Sequence, residues 1–400
     1  MRNKYGPSSV PHFLRLPLYT CGEGGEAFLE LFTKGYNFQT MNILFLNSAK
    51  EWGGNEKWTL TAASALAHRG HNVFLGCRSD LFRQKCSEKN LKFVSFAFVN
   101  NADIVTLLKI RRFIKKESID IVIPTKQREY ILGGLAAKGR AKVAARMGID
   151  RPLHNFRNRF AFCKLFDVVI VNSTRIIDTL SRTEGFDPAK CRLIYNGVKI
   201  PELSPEIRGR YRHELNIDND DVCMMCIGRL SAQKGIDYAL KAFAEVYKVK
   251  KNICLVLVGD GSGRSEYEQL AETLNISDRV IFTGYRDDVS GLLQAADIFW
   301  LTSRSEGMAN VMLEAMAHAK ACVAFDIAGV AEVVKNNDNG IIVPFEDIAG
   351  FKTAALLLID DVAKRDLLAE NGYKTVVAKY SIEKMCADTE RELLMLKGNR

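Results

Sequence analysis

The stretch DIFWLTSRSEGMANVMLEAMAHAKACVAFD, residues 297–326, decides the fold class. It opens with a short apolar run and passes through a polar loop into a helical pattern that begins near Ala309. A second apolar run, 321–325, closes it. Strands that alternate with helices in this way form a parallel sheet covered by helices on both faces. The stretch therefore predicts an α/β protein.

The same alternation runs through the chain in two series, separated by Asn196-Gly197 and the Pro201–Pro205 stretch. Strands are expected at 41–47, 72–77, 92–98, 119–124, 142–147, 167–172 and 192–196, and then at 222–228, 253–258, 279–283, 297–302, 321–325 and 340–343. Helices are expected near 56–69, 102–116, 127–140 and 174–184, and then near 235–249, 264–274, 288–295, 309–319, 329–335, 348–360 and 381–397. Two doubly wound parallel-sheet domains follow from this pattern.

The length of 400 residues also suits two domains better than one. We expect an N-terminal domain at 41–200, a C-terminal domain at 206–380, and a last helix within 381–400 that crosses back to the first domain. Residues 1–40 contain turn-forming Gly and Pro and no sustained period. Because Met41 opens a buried strand, we expect it to be the natural start and 1–40 to be a disordered extension.

Composition indicates a cytoplasmic protein. The chain is 47% apolar and 26% charged, as soluble globular proteins are. No apolar stretch approaches the roughly 20 residues of a membrane span. The ten cysteines are scattered, with neither a CxxC pair nor the spacing of a zinc site, so we expect reduced core thiols and no metal.

Positive charge is concentrated in the first half. Residues 41–200 carry 28 lysines and arginines against 13 acidic residues. Two stretches hold much of this charge, 107–117 (LLKIRRFIKKE) and 151–164 (RPLHNFRNRFAFCK). Such surface suits an anionic membrane or a phosphorylated glycolipid acceptor; a solvated helix face and a core-packing aromatic loop are the alternative. Nucleic acid is not expected, because no nucleic-acid module is present.

Glu306 and Glu314 carry the strongest chemical signal. Glu306 lies in the loop before the helix, and Glu314 lies about one turn inside it. Helix N-termini at the carboxyl ends of strands bind anionic groups, so a diphosphate could sit on the amides of Gly307 to Val311, which include Asn310. Carboxylates beside it would accept hydrogen bonds from the hydroxyls of a sugar and a ribose. Two solvated surface glutamates are the alternative.

Two further loops fit such a ligand. In CIGRLSAQKG, Arg229 and Lys234 lie on one strand-to-helix loop and could neutralise a pyrophosphate. In NSAKEWGGNEKW, Gly53 and Gly54 would let the backbone approach a ligand and Trp52 could pack over it, although this is neither a G-x-G-x-x-G fingerprint nor a P-loop. Solvated basic residues and a plain Gly-Gly turn remain open for these loops.

In order and spacing, GRLSAQKG, LVGDGSGR, VIFTGYRDDV and SEGMANVMLEAMA closely resemble the C-terminal domain of the retaining GT-B glycosyltransferases of family 4. The segment WGGNEKW is similar to the glycine-rich loop of their N-terminal domain. The likeness covers about 41–395 and is more specific in the second domain. It implies two Rossmann-like domains facing across a cleft, a nucleotide-sugar donor held mainly by the second, an acceptor held mainly by the first, and no metal or cofactor.

The resemblance also implies roles for individual residues. Arg229 and Lys234 match the basic pair on the donor diphosphate. Glu306 matches the first glutamate of the E-x7-E motif, at the donor sugar, and Glu314 the second, on the ribose. Gly53 and Gly54 match glycines that meet the donor phosphates.

Elsewhere the match is looser. Tyr285 and Arg286 match the region that lines the base. Many members carry a histidine after the fifth strand of the first domain, but here Arg146 stands there. Arg146 could steady a phosphate or an acidic acceptor, and His154 lies nearby in sequence.

These features predict a retaining glycosyltransferase that uses a nucleotide-diphosphate sugar and a glycan or glycolipid acceptor in the synthesis of cell-envelope polysaccharide or lipopolysaccharide. The alternatives are a GT-B-shaped sugar-nucleotide epimerase, which lacks the combination of GRLSAQKG with E-x7-E, and a module that binds nucleotide or glycan without turnover.

Overall fold

A computed structural model describes residues 40–50, 53–100 and 102–398. The expectation that residues 1–40 form a disordered extension, and the suggested packing of Trp52 over a ligand, fall outside the described residues, apart from Thr40. The described chain separates into two compact units, one of residues 40–197 with 379–398 and one of residues 198–378.

The first unit is a seven-stranded parallel sheet with helices on both faces. Its strands are β1 (Asn42–Asn47), β2 (Asn72–Cys77), β3 (Lys92–Ser95), β4 (Ile121–Pro124), β5 (Lys142–Met147), β6 (Val168–Val171) and β7 (Cys191–Leu193). Its helices are α1 (Gly54–His68), α2 (Asp80–Glu88), α3 (Ile104–Lys116), α4 (Gln127–Ala137), α5 (Phe156–Lys164) and α6 (Thr174–Ser181), with α15 (Ile382–Gly398) at the end of the chain.

The second unit is built around a six-stranded parallel sheet. Its strands are β8 (Val222–Ile227), β9 (Ile253–Val258), β10 (Val280–Gly284), β11 (Ile298–Leu301), β12 (Ala321–Phe325) and β13 (Ile341–Val343). Its helices are α7 (Pro205–Glu214), α8 (Ile236–Tyr247), α9 (Arg264–Thr273), α10 (Val289–Ala295), α11 (Asn310–Ala317), α12 (Ala328–Ala331) and α13 (Ile348–Asp360), followed by α14 (Val362–Lys379).

Both sheets have a doubly wound strand order. The first runs β3-β2-β1-β4-β5-β6-β7 and the second β10-β9-β8-β11-β12-β13. In each, the order reverses beside the first strand, between β1 and β4 and between β8 and β11. Ligands of open α/β sheets bind outside the carboxyl ends of strands at such a reversal. The predicted fold class, two Rossmann-like parallel-sheet domains, is confirmed.

The C-terminal helix α15 completes the core of the first unit. Met385, Leu393 and Leu396 are buried in one cluster with Trp58 of α1 and the β1 side chains on that face. The chain enters α15 beside Gly197, where an added Cβ would lie 2.6 Å from the Cα of Ile382. A side chain at 197 would therefore push the C-terminal helix away.

The pattern missed four helices: α2, α5, α7 and α14. In α5, Phe162 is fully buried while Phe156 is 80% exposed, so its aromatic residues do not form one stripe. The stretch 151–164 is thus partly core and partly surface. Phe162 fits the alternative of a core-packing aromatic loop, whereas Phe156 fits the partly aromatic surface.

The basic stretch at 107–117 also needs a correction at Arg111. This residue is half-buried and donates to the carbonyls of Ala136 and Lys138 at 3.2 and 3.3 Å, so its role includes closing the end of α4. In the described part of the chain, no helix is both long enough and apolar enough to cross a lipid bilayer.

Candidate active site

The loop that leaves β8 at the reversal point of the second sheet has two left-handed glycines. Gly228 has a φ of 154° and Gly235 a φ of 61°. An added Cβ on Gly228 would lie 3.0 Å from Cε of Lys234, so the lysine side chain lies across this glycine. Arg229 follows; it is exposed and makes no hydrogen bond or ion pair with the described residues. The loop thus presents two cations beside one strand end.

A close backbone contact joins this loop to the end of β11. An added Cβ on Gly235 would lie 2.0 Å from the carbonyl oxygen of Thr302, so the position admits only glycine. The Arg304 N–H donates to the carbonyl of Gln233 at 2.8 Å, and the Gln233 side chain donates back to the carbonyl of Ser305 at 3.1 Å. The two loops therefore hold each other in place.

The Arg304 side chain reinforces this junction. Its guanidinium forms two 3.0 Å hydrogen bonds with Asp237 at the start of α8 and lies 4.4 Å from the centroid of the Tyr238 ring. Bidentate pairs of this kind fix orientation as well as contributing energy. Arg304 is a positioning residue that the sequence analysis did not single out.

The two loops bring Lys234 and Glu306 together. Their Nζ and Oε1 atoms are 2.7 Å apart, and the side chains are 21% and 11% exposed. The Ser303 hydroxyl donates to the same Oε1 at 2.7 Å. Lys234 and Ser303 thus hold the Glu306 carboxylate in position through Oε1 alone. The motifs assigned Lys234 and Glu306 to one ligand, but they did not predict this direct contact between the two side chains.

Several backbone amides beside Glu306 have no backbone acceptor. The N–H groups of Gly307, Ala309 and Val311 donate to no backbone carbonyl of the described chain. Gly307 is exposed, and an added Cβ would meet nothing within 4 Å. Asn310 opens α11. Donors of this kind at a helix N-terminus favour phosphate or carboxylate groups.

Glu314 lies half-buried inside α11, the helix that begins just after Glu306. Its backbone carbonyl is 2.6 Å from Nδ1 of His318, whose Nε2 is 2.8 Å from the Ser290 hydroxyl. Burial lowers the pKa of His318 to about 4, so this imidazole is neutral at pH 7 and supports the helix.

In the loop expected to line the base, Tyr285 and Arg286 differ in their availability to a ligand. Tyr285 is 74% exposed and donates to Asp287 at 2.7 Å. Arg286 donates twice to Asp288, at 2.7 and 2.5 Å, and once to Glu214 of α7 at 2.6 Å. These ion pairs hold the pKa of Asp288 below its usual range. Arg286 is therefore already paired within the protein, whereas the Tyr285 ring is open to a ligand.

At the reversal point of the first sheet, a network of side chains braces the loop after β1. Asn47 donates to Glu56 at 3.3 Å, and Glu56 pairs with Lys126 at 2.7 Å. The Ser48 N–H donates to Glu129, whose other oxygen is buried and has no partner. Sequence reasoning missed Glu129, because a lone glutamate in a helical pattern carries no signal of burial.

The predicted glycines lie just beyond this network. Gly53 caps the N-terminus of α1 with an extended backbone, and an added Cβ would lie 3.2 Å from Oε2 of Glu56. Gly54 is exposed, and an added Cβ would meet nothing within 4 Å. The backbone at Gly54 is thus accessible to a ligand.

The two acceptor-side candidates differ. Arg146 is 2% exposed, whereas His154 is exposed in the loop before α5. Among the described residues, no three histidine, cysteine, aspartate or glutamate side chains are grouped closely enough to hold a metal ion.

The fold has counterparts among solved structures. The Anabaena protein HepE, crystallised in complex with UDP, superposes with a TM-score of 0.79 at 21% identity, covering 89% of this chain and 100% of that chain. Residues 208–375 match the family model for glycosyl transferases group 1, and residues 52–200 match the model for Glycosyltransferase Family 4. The chain is a GT-B glycosyltransferase.

Curated relatives of this GT-B glycosyltransferase include bacterial transferases. The lipopolysaccharide core biosynthesis glycosyltransferase LpsE of Rhizobium meliloti is 27% identical over 359 residues, which cover 89% of this chain and 100% of that protein. The UDP-Gal:alpha-D-GlcNAc-diphosphoundecaprenol alpha-1,3-galactosyltransferase of Escherichia coli is 28% identical over 308 residues, which cover 70% of this chain and 77% of that protein.

Glu129 should give the glycosyltransferase a pH-dependent stability. Burial raises its pKa from 4.5 to about 7. Because the folded pKa is raised, the stabilising contribution is complete below about pH 4.5 and is lost as the pH rises through 7. Glu129→Gln has no charge at either pH and still accepts from the Ser48 N–H. The free energy of unfolding of wild type should therefore fall, relative to that of Glu129→Gln, by about 3 kcal/mol between pH 5 and pH 8.

Urea unfolding of both proteins at the two pH values measures this difference. Glu88→Gln, on the surface of α2 in the same unit, is the matched control and should show no such gain. An equal stability difference between wild type and Glu129→Gln at both pH values would contradict the assignment.

Proposed function

We propose that this chain transfers a sugar from a nucleotide-diphosphate donor to a glycan or glycolipid acceptor, with retention of anomeric configuration. The observation that carries the proposal is the 2.7 Å pair of Lys234 with Glu306. Beside this pair lie Arg229, which has no partner among the described residues, and the amides of Gly307, Ala309 and Val311, which donate to no backbone carbonyl there. Cations, amides and a carboxylate at one sheet edge match the phosphates and hydroxyls of a sugar nucleotide.

Each group has a distinct task in this proposal. Arg229, Lys234 and the amides of Gly307 to Val311 neutralise the diphosphate, whose negative charge grows as the bond to the sugar breaks. Glu306 accepts hydrogen bonds from donor sugar hydroxyls, and Glu314 accepts them from the ribose. Tyr285 offers an exposed ring to the base. In the first unit, the backbone at Gly53 and Gly54 keeps the predicted role of a phosphate contact.

In the retaining course, the acceptor hydroxyl attacks from the face on which the leaving phosphate departs. The phosphate oxygen can then take the hydroxyl proton, so a protein general base is not required. The diphosphate charge is met here by cations and amides, so we expect no metal and no cofactor besides the sugar nucleotide.

The biological setting of the proposal comes from the relatives. LpsE acts in lipopolysaccharide core biosynthesis, and the Escherichia coli relative uses UDP-Gal with a diphosphoundecaprenol-linked acceptor. We therefore place this chain in cell-envelope polysaccharide or lipopolysaccharide synthesis, on the cytoplasmic side of the membrane. A GT-B-shaped epimerase, which lacks the combination of GRLSAQKG with E-x7-E, or a module without turnover would bind nucleotide or sugar nucleotide but would not form a glycosidic bond.

Arg229→Ala tests the donor site directly. A thermal-shift panel of UDP-, GDP-, ADP- and dTDP-sugars first identifies the stabilising nucleotide, since a ligand raises the midpoint only by binding the folded state. Because Arg229 is exposed and has no partner among the residues that the structure describes, the substitution should change stability by no more than about 0.5 kcal/mol. The substitution should lower the affinity for the nucleotide sugar by about tenfold or more, because it removes a hydrogen bond between charged groups.

Lys335→Ala removes one charge from another exposed position of the same unit and should leave binding unchanged. If no nucleotide sugar stabilises the wild-type protein, or if Arg229→Ala binds it as tightly as wild type, the donor site is misassigned.

We further propose that the first unit contacts an anionic membrane through the loop before α5 and the start of that helix. Ile149 and Phe156 are 64% and 80% exposed, and Phe160 is 39% exposed. Arg151 and Arg157 are exposed beside them. Apolar side chains interleaved with cations are suited to the headgroup region of an anionic bilayer.

Removing the two aromatic rings tests this contact. Phe156→Ser/Phe160→Ser should lose binding to phosphatidylglycerol vesicles by about tenfold or more in a flotation assay, because each ring contributes roughly 1.5–3 kcal/mol when buried. Leu357→Ser/Val362→Ser, at exposed apolar positions of the other unit, is the control. Equal flotation of wild type and the phenylalanine double variant would refute the contact.

A further inference from the structure

Arg146 is a buried cation without a counter-ion. It is the fifth residue of β5, at the carboxyl edge of the first sheet, and is 2% exposed. It makes no ion pair with the described residues. An unpaired buried charge is unfavourable by several kcal/mol unless another group compensates it. Such a group at the carboxyl edge of a parallel sheet, where ligands bind, suggests that an anionic ligand compensates its charge.

The contacts that Arg146 does make leave much of its guanidinium unused. Nη2 donates to Oδ1 of Asn196 at 2.9 Å, and the group lies 4.7 Å from the ring centroid of Trp58. Nε and Nη1 are buried and have no hydrogen-bond partner. One neutral amide and one aromatic face do not balance the charge. At least two strong donors therefore await an acceptor.

The guanidinium stays charged and is closely packed against backbone. Burial lowers the pKa of Arg146 to about 10, which still leaves it protonated at neutral pH. An added Cβ on Gly148 would lie 2.9 Å from Nη1, so a side chain there would press on the unpartnered nitrogen. The chain passes the guanidinium with bare backbone.

A second buried polar atom without a partner lies at the same edge. Arg146 is in register with Ile170 of β6, and Asn172 follows two residues later, just beyond the end of that neighbouring strand. Oδ1 of Asn172 is buried and has no partner. Unsatisfied polar groups at the ends of two adjacent strands are rare in folded proteins and point to a ligand rather than to packing.

We propose that Arg146 binds an anionic group, a phosphate or a carboxylate, on the sugar acceptor, and thereby selects charged acceptors. The inference rests on the proposed transferase function, since it names the acceptor class of that reaction. An oxyanion would accept hydrogen bonds from Nε and Nη1 and supply the missing negative charge. A neutral sugar hydroxyl could accept a bond but would leave the charge uncompensated.

The test uses small anions as probes on the full chain. Inorganic phosphate and acetate are titrated at constant ionic strength, and the rise in unfolding midpoint gives the affinity. Wild type should be stabilised by one or both anions. Because the donor site proposed above would also bind phosphate, only the part of the stabilisation that is lost in Asn196→Asp is assigned to Arg146. A larger lost part with phosphate indicates a phosphorylated acceptor, and a larger lost part with acetate a carboxylated one. Wild-type protein stabilised by neither would overturn the inference.

Two variants separate a binding role from a structural one. Arg146→Met keeps much of the side-chain length and removes the charge, so the affinity for the anion should fall by about tenfold or more. Asn196→Asp places a carboxylate oxygen where the amide oxygen now lies, giving Arg146 an internal counter-ion. Asn196→Asp should raise the unfolding midpoint and lower the affinity for the anion. This variant keeps the test informative if Arg146→Met does not fold.

Arg182→Met, at an exposed position of the same unit, is the control and should bind the anion as wild type does. Anion affinity that is unchanged in Asn196→Asp would show that Arg146 has only a structural role. Binding of the nucleotide sugar, measured on the same variants, should stay at the wild-type level. A wild-type protein that binds anions but no nucleotide sugar would instead refute the transferase proposal and leave the Arg146 site in place.

Discussion

The contact between Lys234 and Glu306 depends on two loops being fixed to each other. These loops leave neighbouring parallel strands, β8 and β11, and the backbone of Gly235 lies directly against the carbonyl of Thr302. Since only glycine fits there, one residue type at one position sets the distance between the ammonium and the carboxylate. The amides that follow Glu306 are placed by the same junction. The proposed donor site is therefore built without a ligand, which reduces the ordering that binding requires.

The two units share a doubly wound topology, but the charged side chains at their strand-order reversals are buried and paired differently. In each, polar side chains collect where the strand order reverses. In the second unit the central cation, Lys234, is already paired with a carboxylate and the other, Arg229, is solvated. In the first unit Arg146 is buried and unpaired, and Glu129 is a buried carboxyl with an unused oxygen. An exposed cation can meet a highly charged diphosphate at little desolvation cost, whereas a buried one discriminates between charged and neutral ligands.

Sequence patterns predicted the sheets well because parallel strands are uniformly apolar. The expected strands at 72–77, 142–147 and 253–258 coincide with those observed. Short polar helices such as α2 were missed, since nine residues with two buried side chains give little periodic signal. The motif residues were found from their spacing, but their pairing was not, because the Lys234–Glu306 contact joins residues 72 positions apart. The burial of Arg146 could not be foreseen either, since an arginine is ordinarily exposed.

The most direct measurement is a crystal structure of this protein with the nucleotide sugar that stabilises it most. The account predicts a phosphate oxygen within hydrogen-bond distance of Lys234, Arg229 and the amides of Gly307 to Val311, with a donor sugar hydroxyl on Glu306. A nucleotide bound elsewhere, with the diphosphate away from all of these groups, would contradict it.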